Sequence, residues 1–208
     1  MLKGISLKVE RGQWISIMGR SGAGKSTLMY QMSLLDDPTS GEVIIDGKDA
    51  SQMSHEEKTT FRLNEFGYVF QDYALVPELN AIENVALPLL MQGIDEEKAY
   101  KDSAESMRKV KLPDITHDNL PSQLSGGEQQ RVSISRAIAH CPRILFADEP
   151  TANLDSESAK AVMSIFGELH KQGQTIIMVT HEEEYGRLAD RLIRLRDGEI
   201  ISDEMLKK

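Results

Sequence analysis

Apolar positions along this chain recur with two different spacings, and the switches between them mark out its elements. Trp14 to Met18, Phe66 to Phe70, Ile144 to Ala147 and Thr175 to Thr180 are short runs that read as strands; the barest of them, Ile144 to Ala147, has the look of a strand buried on both faces. Ser156 to Gln172 instead places Ala159, Val162, Met163, Phe166 and Leu169 on one helical face, and Gly173 stops it. Ser54-His55-Glu56-Glu57 is a capping box that opens a helix to about Asn64. Strands alternating with helices predict an α/β fold around a mainly parallel sheet. From Asn80 to His140 the pattern is helical with polar loops, and Asp95 to Val110 carries apolar or small residues on one side and charge on the other. The expected organisation is one domain, with residues 1–79 and 141–208 forming the core and residues 80–140 an inserted helical subdomain. Val43 to Ile45 before Asp46-Gly47, and Leu192 to Ser202 around Asp197-Gly198, read as hairpins that add an antiparallel β edge; Leu2 to Val9 reads as a sheet edge left unpaired.

Composition narrows the function classes. A length of 208 residues with 40% hydrophobic and 27% charged residues suits one globular domain and excludes wholesale disorder. A net charge of -9 argues against nucleic-acid backbones or anionic lipid as the main partner, because both reward clustered Lys and Arg. The longest apolar candidate for a membrane span, Val85 to Met91, is short and holds Pro88. Met1-Leu2-Lys3-Gly4 lacks a signal-peptide pattern, and the single Cys141 cannot form an internal disulfide, so a cytoplasmic location is expected. Cys141 itself reads as a small packed residue before the Pro142 turn, and the scattered Met residues as core filler.

Chemistry first appears at Gly19-Arg20-Ser21-Gly22-Ala23-Gly24-Lys25-Ser26, which matches the Walker A pattern of a phosphate-binding loop without deviation. The glycines let successive backbone N–H groups turn inward as an anion nest, reinforced by the N-terminus of the following helix. Lys25 would neutralise the β- and γ-phosphates, Ser26 would ligate Mg²⁺, and Thr27 could add a phosphate contact. The fold is then expected to be a P-loop NTPase. Ile144 to Ala147 ends in Asp148-Glu149, the Walker B arrangement, at the strand end that faces the ligand crevice of a parallel sheet. Adjacent strand residues point oppositely, so Asp148 is assigned to Mg²⁺ and Glu149 to the attacking water as general base. An acidic pair alone is an ordinary solvated turn; beside Walker A it is a candidate centre.

Leu124-Ser125-Gly126-Gly127-Glu128-Gln129-Gln130-Arg131 closely resembles the signature of ATP-binding cassette (ABC) ATPases. As a helix start, Ser125 and the Gly126 and Gly127 amides read as free donors suited to a γ-phosphate. The resemblance implies that they serve the ATP held by a second copy, so that each site is completed across a homodimer interface. It further implies that Gln71 is the Q-loop glutamine that senses Mg²⁺ and links to a transmembrane partner. Asn153-Leu154-Asp155 resembles the D-loop along the dimer seam, and His181 resembles the switch histidine that holds the γ-phosphate and the water. His55, His117, His140 and His170 have no such placement.

The resemblance covers essentially the whole chain and is nearest to the lipoprotein-releasing and macrolide-export group, with the cell-division ATPase as a cousin. It implies an ATPase using ATP and Mg²⁺, on the inner face of the cell membrane, that drives a separate permease and binds no nucleic acid. Two departures stand out. The family's first strand, with an aromatic that stacks on adenine, is not found before Leu2-Lys3-Gly4-Ile5; truncation, a misassigned start, or affinity resting on phosphates alone are the open readings. Ala152 stands where the group often has Gly. Competing readings are a soluble assembly ATPase of the iron–sulfur scaffold type and a truncated, low-affinity regulatory ATPase. Leu75-Val76-Pro77 and Ala81-Ile82 as the border of a coupling groove favour the transporter reading, and intact Lys25, Glu149 and His181 oppose the regulatory one.

Overall fold

In the computed structural model, residues 2–206 are described; Met1, Lys207 and Lys208, at the ends of the expected domain, lie outside them. A six-stranded sheet forms the centre. Its strands are β1 (Trp14–Met18), β4 (Phe66–Val69), β5 (Ile144–Asp148), β6 (Thr175–Val179), β7 (Arg191–Arg196) and β8 (Glu199–Met205), ordered β4-β5-β6-β1-β7-β8. All neighbouring pairs are parallel except β7 with β8, which join antiparallel through Asp197 and Gly198, both at positive φ. β2 (Ile44–Ile45) and β3 (Lys48–Asp49) make a separate antiparallel hairpin around Asp46 and Gly47, also both at positive φ. The sheet is the mainly parallel core with an antiparallel edge that the alternation of patterns predicts.

β1 and β6 are buried along their entire lengths, which explains why they read as short, mostly apolar runs, broken only by the buried Ser16 in β1 and Thr175 at the start of β6. Helices lie between the strands in chain order: α1 (Lys25–Met32), α2 (His55–Glu65), α3 (Ala81–Met91), α4 (Glu96–Lys109), α5 (Gly126–Ile138), α6 (Ser156–Lys171) and α7 (Glu183–Gly186). α2, α3 and α5 each open on a capping box, closed by Glu57, Glu83 and Glu128 respectively. α6 buries the five residues assigned to its inner face, and Ile165 with them. α3, α4 and α5 pack on one another, and α5 also lies against β4. There Gly67 is obligatory: a Cβ on it would sit 2.1 Å from the Ala137 carbonyl oxygen. No helix of the described residues is long and apolar enough to cross a membrane.

Three expectations need correcting. Leu2 to Val9 forms no strand; Leu2, Ile5, Leu7 and Val9 still pack on the core, so the alternation reports burial on one side without a hydrogen-bond ladder. Cys141 is exposed at φ 53, because the chain must reverse between α5 and β5 and the left-handed turn points its side chain outward. Methionine is core filler at Met18, Met29, Met107, Met163 and Met178, but Met91 and Met205 are exposed.

Candidate active site

β1, β5 and β6 end side by side, so the segments leaving their carboxyl ends share one crevice. From β1 the chain enters the loop of residues 19–24, then α1. Gly22 and Gly24 adopt φ 79 and φ 99, which side chains resist; Gly19 is required for space, since its Cβ would lie 2.4 Å from the Leu195 carbonyl oxygen. The loop is braced from the far end of the chain, where the Gly198 amide donates to the Ala23 carbonyl at 3.1 Å. Lys25 curls over the loop and donates to the Gly19 carbonyl at 3.0 Å. Arg20, Ser21 and Thr27 are exposed, Ala23 is buried, and Ser26 is half-buried in the first turn of α1.

From β5 come Asp148, only 8% exposed, and Glu149. Burial, then the Glu149 carboxylate, push the Asp148 carboxyl above the ordinary range, while the Ser26 hydroxyl, the Lys25 ammonium and the Tyr30 hydroxyl pull the other way. Asp148 Oδ1 is buried without a hydrogen-bond partner, and Oδ2 accepts a long bond from Tyr30 at 3.5 Å. An orphaned buried carboxylate oxygen beside a serine hydroxyl suits a hard cation. Mg²⁺ typically takes one or two protein oxygens and completes its shell with phosphate and water. Among the described residues, no group of three or more His, Cys, Asp or Glu side chains is placed to hold a metal ion by itself.

Glu149 sits at φ 46, a conformation that costs about 1–3 kcal/mol outside glycine. It is held there by its amide donating to Val179 at 2.9 Å and by its carbonyl accepting from Ala152 at 3.1 Å. Its carboxylate is then aimed at β6: Oε2 accepts from His181 Nδ1 at 2.7 Å and from the His181 amide at 3.2 Å. A carboxylate oxygen accepts, so Nδ1 is the donor in this contact, and the His181 ring is otherwise exposed. Lys25 Nζ lies 3.9 Å from Glu149 Oε1. One constellation therefore joins Lys25, Ser26, Asp148, Glu149 and His181.

The remaining candidates form a second group. Gln71 follows β4; its carbonyl accepts from Asn153 Nδ2 at 3.0 Å, and Tyr73 in turn donates to the Asn153 carbonyl at 3.4 Å. Asp155 caps α6, accepting from the Glu157 and Ser158 amides. Ser125 caps α5, but its donors are not free: Glu128 Oε2 accepts from the Ser125 amide at 2.8 Å and from its hydroxyl at 2.7 Å. Gly127 has a steric reason as well, because its Cβ would meet Ser158 Oγ at 2.8 Å where α5 crosses α6; at Gly126 a Cβ would meet the Tyr73 hydroxyl at 3.0 Å. No hydrogen bond or ion pair among the described residues ties Ser125 or Asp155 to Lys25, Asp148, Glu149 or His181.

Sequence reasoning passed over several residues. Tyr30 stands four positions after Ser26 on α1, and that spacing on one helix face was the available signal. Thr151 donates to Glu182 at 2.7 Å, joining the segments after β5 and β6. Gln130, wholly buried, donates to the Pro150 carbonyl at 2.6 Å. Arg136 donates to the carbonyls of Tyr73 and Ala74. These last contacts cross between elements distant in sequence, and no local pattern announces them.

A family model described as ABC transporter matches residues 2–152. The chain is 45% identical over 203 residues to the lipoprotein-releasing system ATP-binding protein LolD of Aquifex aeolicus, covering 98% of this chain and 90% of that one. It is 47% identical over 207 residues to the macrolide export ATP-binding/permease protein MacB of Bdellovibrio bacteriovorus, where it spans 100% of this chain but 31% of the relative. Among solved structures it resembles the ATP-binding cassette MJ0796, a dimer bound to ADP and Pi in a post-hydrolysis state. The TM-score is 0.92 at 39% identity, covering 100% of this chain and 91% of that one.

Proposed function

Since this chain belongs to the ABC transporter family, as an ATP-hydrolysing cassette of the macrolide-export and lipoprotein-releasing type, we propose that two copies close around ATP and drive a separate membrane protein. One observation carries the reading: Lys25, Asp148, Glu149 and His181 converge at the ends of three adjacent parallel strands, while Ser125 and Asp155 lie outside that cluster on helix N-termini. A single copy holds a phosphate cradle and a base, and a second copy supplies the missing donors.

The residues 19–26 loop and Lys25 bind the phosphates of ATP, with Thr27 beside them. Ser26 and Asp148, with Gln71 as a further candidate, would hold Mg²⁺, which when bound would supply charge neutralisation at the β- and γ-phosphates. Glu149 Oε2 takes the proton of the attacking water, a role for which its left-handed backbone aims it into the crevice. His181 exchanges its bond to Glu149 for contacts to the γ-phosphate and the water, so closure frees the base as it positions the nucleophile. Ser125, Gly126, Gly127 and Asp155 contact the ATP of the other copy. The partner is a permease at the inner face of the cell membrane; the lipoprotein-releasing and permease designations of the two relatives support this placement.

Ser125→Arg tests the shared site. Placed in a Glu149→Gln background, it should abolish ATP-dependent dimerisation in light scattering and leave ATP binding by the single chain intact. A dimer that forms equally well with Arg at this position would refute the composite site.

A further inference from the structure

We propose that Arg136 is a positioning residue for the reaction, holding Gln71 at the centre by fixing a turn that the loop does not keep unaided. After β4 the chain runs through Gln71 into Tyr73 at φ 63 and Ala74 at φ 48, two successive left-handed residues, neither of them Gly, Asn or Asp. Local backbone support is thin: the Tyr73 amide reaches Phe70 at 3.3 Å and the Ala74 amide reaches Asp72 at 2.7 Å. The carbonyls of these same two residues are gripped from α5. Arg136 donates to Tyr73 at 2.9 Å and to Ala74 at 2.7 Å.

No carboxylate pairs with Arg136 among the described residues, and burial alone pushes its guanidinium down from the ordinary arginine range. A half-buried cation balanced only by two carbonyls is an expensive way to stabilise a fold. It is an effective way to hold a particular loop geometry, because a planar fork serves two adjacent oxygens at once. The other tether, Asn153 on the Gln71 carbonyl, leaves Ala74 unsupported. Arg136 lies about three helical turns beyond the Ser125 cap on the same helix, so any tilt of α5 on closure pulls directly on the Gln71 loop.

The inference rests on the assignment of Gln71 to the Mg²⁺ side of the site, and the test separates the two. Arg136→Met should lower kcat for MgATP roughly 10- to 100-fold, the range expected when a reacting group is misplaced by about 1 Å. KM for ATP should stay within about twofold, because the phosphate loop is untouched, and the Mg²⁺ concentration for half-maximal rate should rise. Adding Ala74→Gly removes part of the left-handed penalty and should recover about fivefold of the lost rate. Arg136→Lys, which keeps the cation but not the fork, should lie between and serves if the Met variant does not fold. If turnover per folded molecule is unchanged in the Arg136 variants while Gln71→Ala is slow, Arg136 is merely structural and the inference fails alone. Failure of Ala74→Gly to recover rate also overturns it. If Gln71→Ala itself turns over at the parent rate, the assignment of Gln71 falls and the inference with it.

Discussion

Replacing Glu128 with Gln should tighten ATP-driven dimerisation. Glu128 caps α5 by accepting from both the amide and the hydroxyl of Ser125, and these bonds hold its carboxyl below its ordinary value of 4.5. A lowered acid pKa means that the cap contributes fully above pH 4.5 and fades as the pH falls below it, so Glu128 is charged throughout the neutral range. Any phosphate oxygen that bonds Ser125 Oγ must displace this carboxylate or sit about 5 Å from it. Two unit charges at about 5 Å repel by roughly 3 kcal/mol at an effective dielectric constant near 20. Solvent and salt at this exposed rim reduce that to about 1–2 kcal/mol per site. Two symmetric sites then give about 2–4 kcal/mol, or roughly 30- to 1,000-fold in the dimer dissociation constant. The Gln side chain can still reach back to the Ser125 amide, so the stability of the single chain should change by less than about 1 kcal/mol. Sedimentation against ATP concentration in a Glu149→Gln background, at low and high salt, measures the effect. A dimer no tighter than the parent at low salt would refute the claim that Glu128 competes with phosphate for Ser125.

Three further outcomes follow from the same geometry. Glu149→Gln should bind ATP and Mg²⁺ normally while turnover drops by roughly 10²–10⁴ in a phosphate-release assay, and a parent-like rate would remove Glu149 from the role of base. Asp148→Asn should raise the melting temperature at neutral pH without nucleotide while abolishing Mg²⁺-dependent turnover. The raised acid pKa of Asp148 destabilises the fold increasingly as pH rises above 3.8, so the gain should vanish in acid, and a variant that melts lower at pH 7 contradicts it. Gly67→Ala should cost about 3 kcal/mol, or roughly 6–12 °C in melting temperature by calorimetry, because its Cβ would press on the Ala137 carbonyl of α5. An unchanged melting temperature would mean that α5 shifts freely on the sheet.

The strands and helices were legible because burial imposes a period on the residues that form them. The wholly buried β1 and β6, the inner face of α6 and the two Asp-Gly hairpin turns are cases where one local rule decides the outcome. The phosphate loop and the acidic pair were legible because their chemistry is local too. What could not be read depends on partners distant in sequence. Leu2 to Val9 alternates like a strand yet packs without a ladder, since alternation reports which side is buried and not whether a neighbour supplies hydrogen bonds. Cys141 is turned outward by the reversal between α5 and β5. The capture of the Ser125 donors by Glu128 follows the capping-box rule, but the assignment of those donors to phosphate hid it.

The position of β1 in the sheet also bears on how the protein is made. β1 lies between β6 and β7, with Trp14 opposite Ile176 and Met18 opposite Arg194. A chain emerging from the ribosome at roughly 5–20 residues per second would expose this largely apolar strand, and the phosphate loop behind it, for about 10–30 s before either neighbour exists. The Gly198 amide that braces the loop arrives later still. Nucleotide thus cannot template the fold early in synthesis; it can select only nearly complete chains. Newborn copies should depend on chaperones that shield Trp14 to Met18 during that interval, and chains stalled before β6 should aggregate rather than bind ATP.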